Sequence, residues 1–295
     1  MVNLVALPSV TLPNGPLPTV SVVIPAYNEQ DSIEACILAV IAQTVPAAEI
    51  VVVDNRSTDD TVAIVRRLQV AHPDAGIRLI HQDAEQGLVP TRNLGLDLAV
   101  GEVLGRIDAD SVIEPEWVQH VAAAVVDPAV GGATGPVIYY GLPVQDALRR
   151  TDDALRRTLG RISPDVRLLF GSNMALRASA WREMRSEVCR DEADDFHEDI
   201  DLSIHLQQHG FSIVYSSDIV AGMSARRLDD KPLDFVSYVL RFERTYQAHG
   251  IRSVALRTPM LVFLAAYPAL KVARRSQARR LAADAAAAAS IEPAA

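Results

Sequence analysis

TVSVVIPAYNEQDSIEACILAVIAQ (residues 19–43) opens with a β-branched run closed by Pro25. It continues into Ile33, Ile37, Val40 and Ile41, the spacing of one apolar helix face, with Asp31 or Ser32 placed to cap it. AEIVVVD (48–54) is a second apolar strand, and 57–70 a second helix with Thr58 or Asp59 near its cap. The pattern repeats as strand 77–81 with helix 90–98, then strand 103–108 with helix 114–126. Strands alternating with helices predict an α/β fold, a mostly parallel sheet wound by right-handed crossovers. Ligands of such sheets sit beyond the carboxyl ends of the strands, and Pro25, Asp54 and Asp108 fall at those ends.

Outward from this core the alternation breaks after Gly131. A strand over 137–140 and a charged helix over 145–159 are predicted, followed by a strand and turn over 168–177 and a helix from Ser179. A helix over 200–209 and a strand over 212–216 come next; the tail from Phe235 is helical by pattern. Residues 1–18, with four prolines and a glycine, read as an irregular leader arm.

Composition narrows the class. With 49% hydrophobic and 22% charged residues the chain is expected to be a soluble globular protein. The 28 basic against 37 acidic residues give a formal charge of −9, which argues against a general nucleic-acid binder. Lys231 and Lys271 are the only lysines, so the basic side is almost entirely arginine, suited to forked recognition of phosphate. Cys36 and Cys189 are too few for a disulfide framework, and no signal-peptide pattern opens the chain; a cytoplasmic location is expected. No apolar run reaches the ~18 residues that a spanning helix needs.

Four stretches carry chemistry. PAYNE (25–29), at the end of the first strand, has the proline, aromatic and acid that can hold a base and ribose, although a turn and helix cap explain it as well. DNRSTDDT (54–61) puts Asp54 where a carboxylate can accept a base N–H, while Ser57 to Thr61 look like capping residues. RIDAD (106–110) spaces Asp108 and Asp110 by two, so in extended backbone both face one cation; a hard divalent ion bridging a diphosphate is the natural occupant. DEADDFHEDID (191–201) holds seven acids in eleven residues. Asp191 to Asp195 read as a solvated loop, but Glu198 and Asp199 open an amphipathic helix, and a carboxylate crowded by others suits a general base. Gly171, Ser172 and Asn173 are small residues at a strand end, where backbone can approach a ligand.

Taken in order, SVVIPAYNE (21–29), VVVDNRSTDDT (51–61), GLVPTRNLGLDLAVGEVLGRIDADS (87–111), GSNMALR (171–177) and HEDIDLSIHLQQHG (197–210) resemble the family-2 glycosyltransferases, over about residues 19–225. The resemblance implies a GT-A fold and inverting transfer of a sugar from a UDP, GDP or dTDP donor to a hydroxyl acceptor. It implies a domain over 19–230, with a nucleotide-sugar half (19–130) and an acceptor half (131–230), and a helical tail over 231–295. Carried over, it puts Pro25, Tyr27 and Glu29 in the nucleoside pocket, Asp54 on the base, Arg92 near the donor and Asp108 on ribose and metal. Asp110 is the ligand to Mg²⁺ or Mn²⁺, Asp199 the catalytic base with Glu198 beside it, and Gly171, Ser172 and Asn173 meet the acceptor. Many relatives have a metal-binding His after the last strand. IVAGMSARR (219–227) has none, leaving Ser224 or water, and Arg226 and Arg227 are assigned to the diphosphate.

Two rival functions remain: a catalytically silent nucleotide-sugar-binding scaffold, which the missing His favours, and a sugar-phosphate nucleotidyltransferase, which PAYNE does not fit. TPMLVFLAAYPALKV (258–272) is followed by Arg274, Arg275, Arg279 and Arg280, so segment 258–280 is expected to meet an anionic membrane surface, peripherally at the inner face of the plasma membrane. Packing on the domain or in a homodimer is the other use of this segment, and Pro268 is expected to interrupt its helix.

Overall fold

VSVVIPA forms β1 (Val20–Ala26), which is buried at all seven positions because it runs mid-sheet with helices on both faces. The computed structural model describes residues 15–143, 145–162, 167–188 and 195–289. Leader residues 1–14, Cys189 and Asp191 to Asp194 of the acidic stretch lie outside the described residues.

After β1 come α1 (Ile33–Ile41), β2 (Glu49–Asp54), α2 (Thr61–Ala71), β3 (Ile77–His81), α3 (Leu88–Leu98) and β4 (Val103–Ile107), the alternation expected. β5 (Ser111–Ile113), α4 (Trp117–Ala124), β6 (Val130–Thr134), β7 (Val137–Tyr140) and α5 (Gln145–Ile162) follow. The chain then forms β8 (Asn173–Arg177), α6 (Ala178–Met184), α7 (Glu198–Gln208), β9 (Ser212–Tyr215) and β10 (Ala221–Ser224). Two helices end it, α8 (Pro232–Ala248) and α9 (Thr258–Ala289).

Seven strands form one sheet in the order β3-β2-β1-β4-β8-β6-β9, parallel except where β8 runs against β4 and β6. Strand alternation divides the core. Val22 and Ile24 of β1 join Ile50 and Val52 under α1, α2 and α4, while Val23 joins Val51 and Val53 under α3, α6 and α7. A third apolar cluster binds α7, α8 and α9 together. β5, β10 and β7 make a small second sheet that holds the loops after β4 and β10 against each other.

β5, β6 and β10 were not expected. β6 reads VGGAT, and its glycines hide the strand signal; at Gly131 a Cβ would lie 2.5 Å from Phe211 Cβ and 2.8 Å from Leu206 Cδ2. The expected break at Pro268 does not occur: α9 runs through it. Proline removes one hydrogen bond, and contacts on either side hold the axis. Tyr267 stacks on Phe235 at 4.0 Å and its hydroxyl donates to the Asp230 carbonyl at 2.9 Å. The start of α9 therefore packs on the domain, with Met260 and Tyr267 buried, as is Leu256 just before it. Lys271 donates to the Asp230 carbonyl, and Arg274 pairs with Asp229 at 3.4 Å. No helix among the described residues is long and apolar enough to cross a membrane.

Gly95 lets α3 lie directly on β1 and β2: a Cβ there would overlap Val23 Cγ1 and come within 3.0 Å of Val53 Cγ2. Gly95→Leu is expected to lower unfolding stability by about 1–3 kcal/mol or more through overpacking, read as a lower urea midpoint.

Candidate active site

A cleft of about 590 Å³ opens at the carboxyl ends of β1 and β4. Its near wall is the loop after β1, which hydrogen bonds hold in place. Asn28 N–H donates to Ser57 Oγ at 2.9 Å, Glu29 N–H to Thr61 Oγ1 at 2.8 Å and Gln30 N–H to Asp59 Oδ2 at 3.1 Å. Asn28 accepts from Thr58 N–H at 2.8 Å and adopts φ +55° to do so. Ser57 to Thr61 thus clamp this loop more than they cap α2, whose N-cap residue Asp60 makes no side-chain cap. The clamp presents Pro25, Tyr27 and Glu29 to the cleft, with the Tyr27 ring 52% exposed.

The floor is a buried ion-pair chain. Arg92, on α3, pairs with Asp108 and with Glu198 Oε1, each at 2.5 Å. Arg106, inside β4 and fully buried, reaches the same Glu198 oxygen at 2.7 Å and donates from Nε to the Gly171 carbonyl at 3.0 Å. Gly171 N–H in turn donates to Asp199 Oδ2 at 2.8 Å. A Cβ there would sit 2.7 Å from Arg106 Nη2 and 3.2 Å from Asp199 Oδ2, so a side chain would push on both groups. Asp108, Arg92, Glu198, Gly171, Ser172 and Asp199 all line the cleft.

Glu198 and Asp199 are adjacent but electrostatically opposite. Burial acts to raise the Glu198 carboxyl, yet Arg92 and Arg106 outweigh it and hold that group well below the usual glutamate range. Burial and the like charge of Glu198 raise the Asp199 carboxyl above its ordinary value, against His197, Arg106 and the Gly171 N–H. Glu198 is thus engaged by two arginines, while Asp199 beside it carries the more basic carboxylate of the pair.

In the same cleft, burial pushes the Asp110 carboxyl up to about 6 against the pull of Arg226, with the charges of Asp108 and Glu29 adding to the rise. This corner is short of positive charge. Arg226 partly answers it, forking onto Glu29 at 2.7 and 2.5 Å and reaching Asp110 Oδ2 at 3.1 Å. Among the described residues no group of three or more His, Cys, Asp or Glu is arranged to hold a metal. Two hard carboxylates beside open cleft still fit Mg²⁺ or Mn²⁺, which complete their shells with phosphate and water. Arg227 lies over the Tyr238 ring at 4.0 Å on the rim.

Two expected site residues do not reach the cleft. Asp54 is 3% exposed and turns to Ser57 N–H at 3.4 Å and His81 at 3.5 Å, beneath the loop it helps hold. Asn173, fully buried, accepts from Trp117 Nε1 at 2.7 Å and donates to the carbonyls of Pro136 and Ile219, so its amide is consumed by packing. The lining includes residues given no role from sequence: Asn55, Phe170, His197, Tyr238 and Arg241. Arg106 was also missed, although an arginine within an apolar strand had to find a carboxylate.

A profile described as Glycosyl transferase family 2 matches residues 21–185, more than half of the 295-residue chain. The chain belongs to glycosyl transferase family 2. A profile of glycosyl transferase family group 2 also matches, over residues 106–279. The chain is 35% identical over 111 residues to Glycosyltransferase AglE of Haloferax volcanii, a match covering 37% of this chain and 36% of that protein. It is 37% identical over 110 residues to the PGL/p-HBAD biosynthesis glycosyltransferase of Mycobacterium tuberculosis, covering 37% and 42%. The chain thus spans well under half the length of these curated relatives. Its fold is similar to the mannosyltransferase PcManGT from Pyrobaculum calidifontis, solved with GDP-Man and Mn²⁺ (TM-score 0.62, 22% identity, 95% of this chain and 78% of that one). It is also similar to S. aureus TarS 1–349 with UDP-GlcNAc (TM-score 0.56, 19% identity, 84% and 72%). The fold of this family-2 chain is accordingly α/β of the GT-A type.

Removing Glu198 strands two buried cations. Glu198→Gln is expected to cost about 3–5 kcal/mol at neutral pH in chemical denaturation. A carboxyl held down in the fold takes up its proton less readily folded than unfolded. Its contribution is therefore full above the ordinary glutamate value of 4.5 and is lost as pH falls below it, so the gap between wild type and variant should narrow in acid.

Proposed function

We propose that this chain is an inverting glycosyltransferase that moves a sugar from a nucleoside-diphosphate donor to an acceptor hydroxyl. The observation that carries this is that the Asp108–Asp110 pair and the buried Asp199 line one cleft at the carboxyl ends of the strands. Residues 19–130 hold the donor and 131–230 the acceptor. Tyr27 offers its exposed ring to the base, and Pro25 shapes the pocket. Asp54, under the loop, keeps that pocket in place through Ser57. Arg92 fixes Asp108 toward the ribose, and Gly171 and Ser172 line the acceptor side.

In the transfer, Asp199 takes the proton of the acceptor hydroxyl while its oxygen bonds to the anomeric carbon from the face opposite the nucleotide. The bond from that carbon to the diphosphate oxygen breaks, and its electron pair leaves with the nucleoside diphosphate. Asp110 and Asp108 would hold a Mg²⁺ or Mn²⁺ ion, which would supply Lewis-acid stabilisation of that leaving group. Arg227, and Arg226 on exchanging Glu29 for phosphate, would bind the same phosphates. Asp199→Asn should keep donor affinity near wild type and lower kcat by about 10²–10⁴-fold. Asp110→Asn, or chelator, should instead abolish transfer by impairing donor binding, with Mn²⁺ or Mg²⁺ restoring the chelated enzyme. Near-normal kcat in Asp199→Asn would move the base role to another group. A silent scaffold would bind nucleotide sugar yet release no nucleoside diphosphate when acceptors are added.

The same reading sets the protein at the cytoplasmic membrane surface. Leu261 and Val272 are 66% and 65% exposed on α9, and at about 3.6 residues per turn they share a face with Arg275 and Arg279. Lys271 and Arg274 are engaged by the protein, so Arg275, Arg279 and Arg280 are left to meet anionic headgroups. Salt-sensitive binding to vesicles of anionic lipid is expected, and Arg275→Ser with Arg279→Ser should weaken it several-fold. Indifference of the full chain to such vesicles at low salt would remove the membrane from this reading.

A further inference from the structure

A second, smaller cavity of about 140 Å³ lies behind the first, and Phe170 and Asp199 border both. Leu155 and Leu159 of α5, Leu168, Phe242 of α8 and Phe263 of α9 supply its apolar walls. Resting on the proposed transferase reading, we infer that this cavity receives a hydrocarbon group of the acceptor. The acceptor is then an alcohol whose reacting hydroxyl is joined to an apolar group about the size of a benzene ring.

Three observations converge on this ligand. The volume is close to the ~150 Å³ of an apolar cavity known to take up benzene. Four of the polar side chains in its walls, Asp152, Arg156, Tyr215 and Thr134, are engaged by the protein. Asp152 accepts from Arg156 Nε at 2.8 Å and from Val137 N–H at 3.1 Å, and the Arg156 guanidinium covers the Phe170 ring at 4.3 Å. Tyr215 donates to Asp153 at 2.9 Å, and Thr134 to the Asn173 carbonyl at 2.6 Å. A sugar acceptor placed here would lose its hydrogen bonds to water with little in return, while a hydrocarbon loses nothing. Finally, the shared border at Asp199 sets the hydroxyl of such an alcohol beside the proposed proton acceptor while its body stays out of the donor cleft. Phe263 is 37% exposed beside Leu261 and Val262, so the cavity wall continues into the apolar surface of α9 and gives an apolar molecule a way in.

The test uses the full chain and two probes, benzyl alcohol and methyl α-glucoside, read by saturation-transfer NMR, with affinities for UDP, GDP and dTDP plus Mn²⁺ measured in parallel. Benzyl alcohol should bind, and Leu159→Trp, which fills the cavity, should weaken it at least tenfold with nucleotide affinity unchanged. Leu159→Ala should enlarge the cavity and shift preference toward 1-naphthalenemethanol, so the outcome does not hang on one variant. With donor and Mn²⁺ present, benzyl alcohol should speed nucleoside diphosphate release and methyl α-glucoside should not. Nucleotide binding without benzyl alcohol binding overturns the acceptor assignment alone, as does benzyl alcohol binding that both variants leave unchanged. Failure to bind any of the three nucleotides overturns the transferase reading and this inference with it.

Discussion

One carboxylate, Glu198, sits between two buried guanidinium groups, and the cleft is organised around it. Arg106 comes from the middle of β4, Arg92 from the preceding α3 and Glu198 from the first turn of α7, so two consecutive elements and one far along the chain meet at one oxygen. Burying these charges separately would be prohibitive; together they are tolerable and rigid. The rigidity is directional. Arg92 turns Asp108 into the cleft, and Arg106 fixes the Gly171 carbonyl, which aims the Gly171 N–H at Asp199. The geometry of the proposed base is thus set by an ion-pair chain rather than by apolar packing.

The opposite wall is held by a different device. Hydrogen bonds that its N–H groups donate to Ser57, Asp59 and Thr61 fix the loop after β1, and Arg226 ties Glu29 to Asp110. The second sheet makes that tie possible, because β10 pairs with β5 immediately after the Asp108–Asp110 turn. Arg226 is the positive charge set among the carboxylates of that corner. The tail adds a third wall: α9 packs through Tyr267 and Met260, closes the second cavity through Phe263 and leaves an apolar stripe outward.

The four opening strand–helix units were legible because β-branched runs and helical stripes there are unbroken, and β1 to β4 fall within a residue or so of the expected bounds. β6 was hidden because Phe211 and Leu206 pack where its glycines lack side chains, a tertiary reason that no local pattern expresses. Spacing singled out Asp108 and Asp110, and crowding singled out Glu198 and Asp199, all of which line the cleft. Glu198 was read from the same crowding, but its charge balance is decided by two arginines about a hundred residues earlier in the chain. Asp54 and Asn173 stand at strand ends, as the site requires, yet their side chains turn to His81 and Trp117, a direction that residue type does not reveal.

Asp199 owes its raised affinity for protons to burial and then to the negative charge that the arginines pin beside it. The most direct measurement is the ¹³C carboxylate titration of Asp199 in the wild type and in folded Glu198→Gln. Asp199 should titrate above the ordinary aspartate value of 3.8 in the wild type and move down in the variant, where the like charge is gone and the two arginines remain. A titration at or below the ordinary value in the wild type, or one that Glu198→Gln leaves in place, would contradict the account.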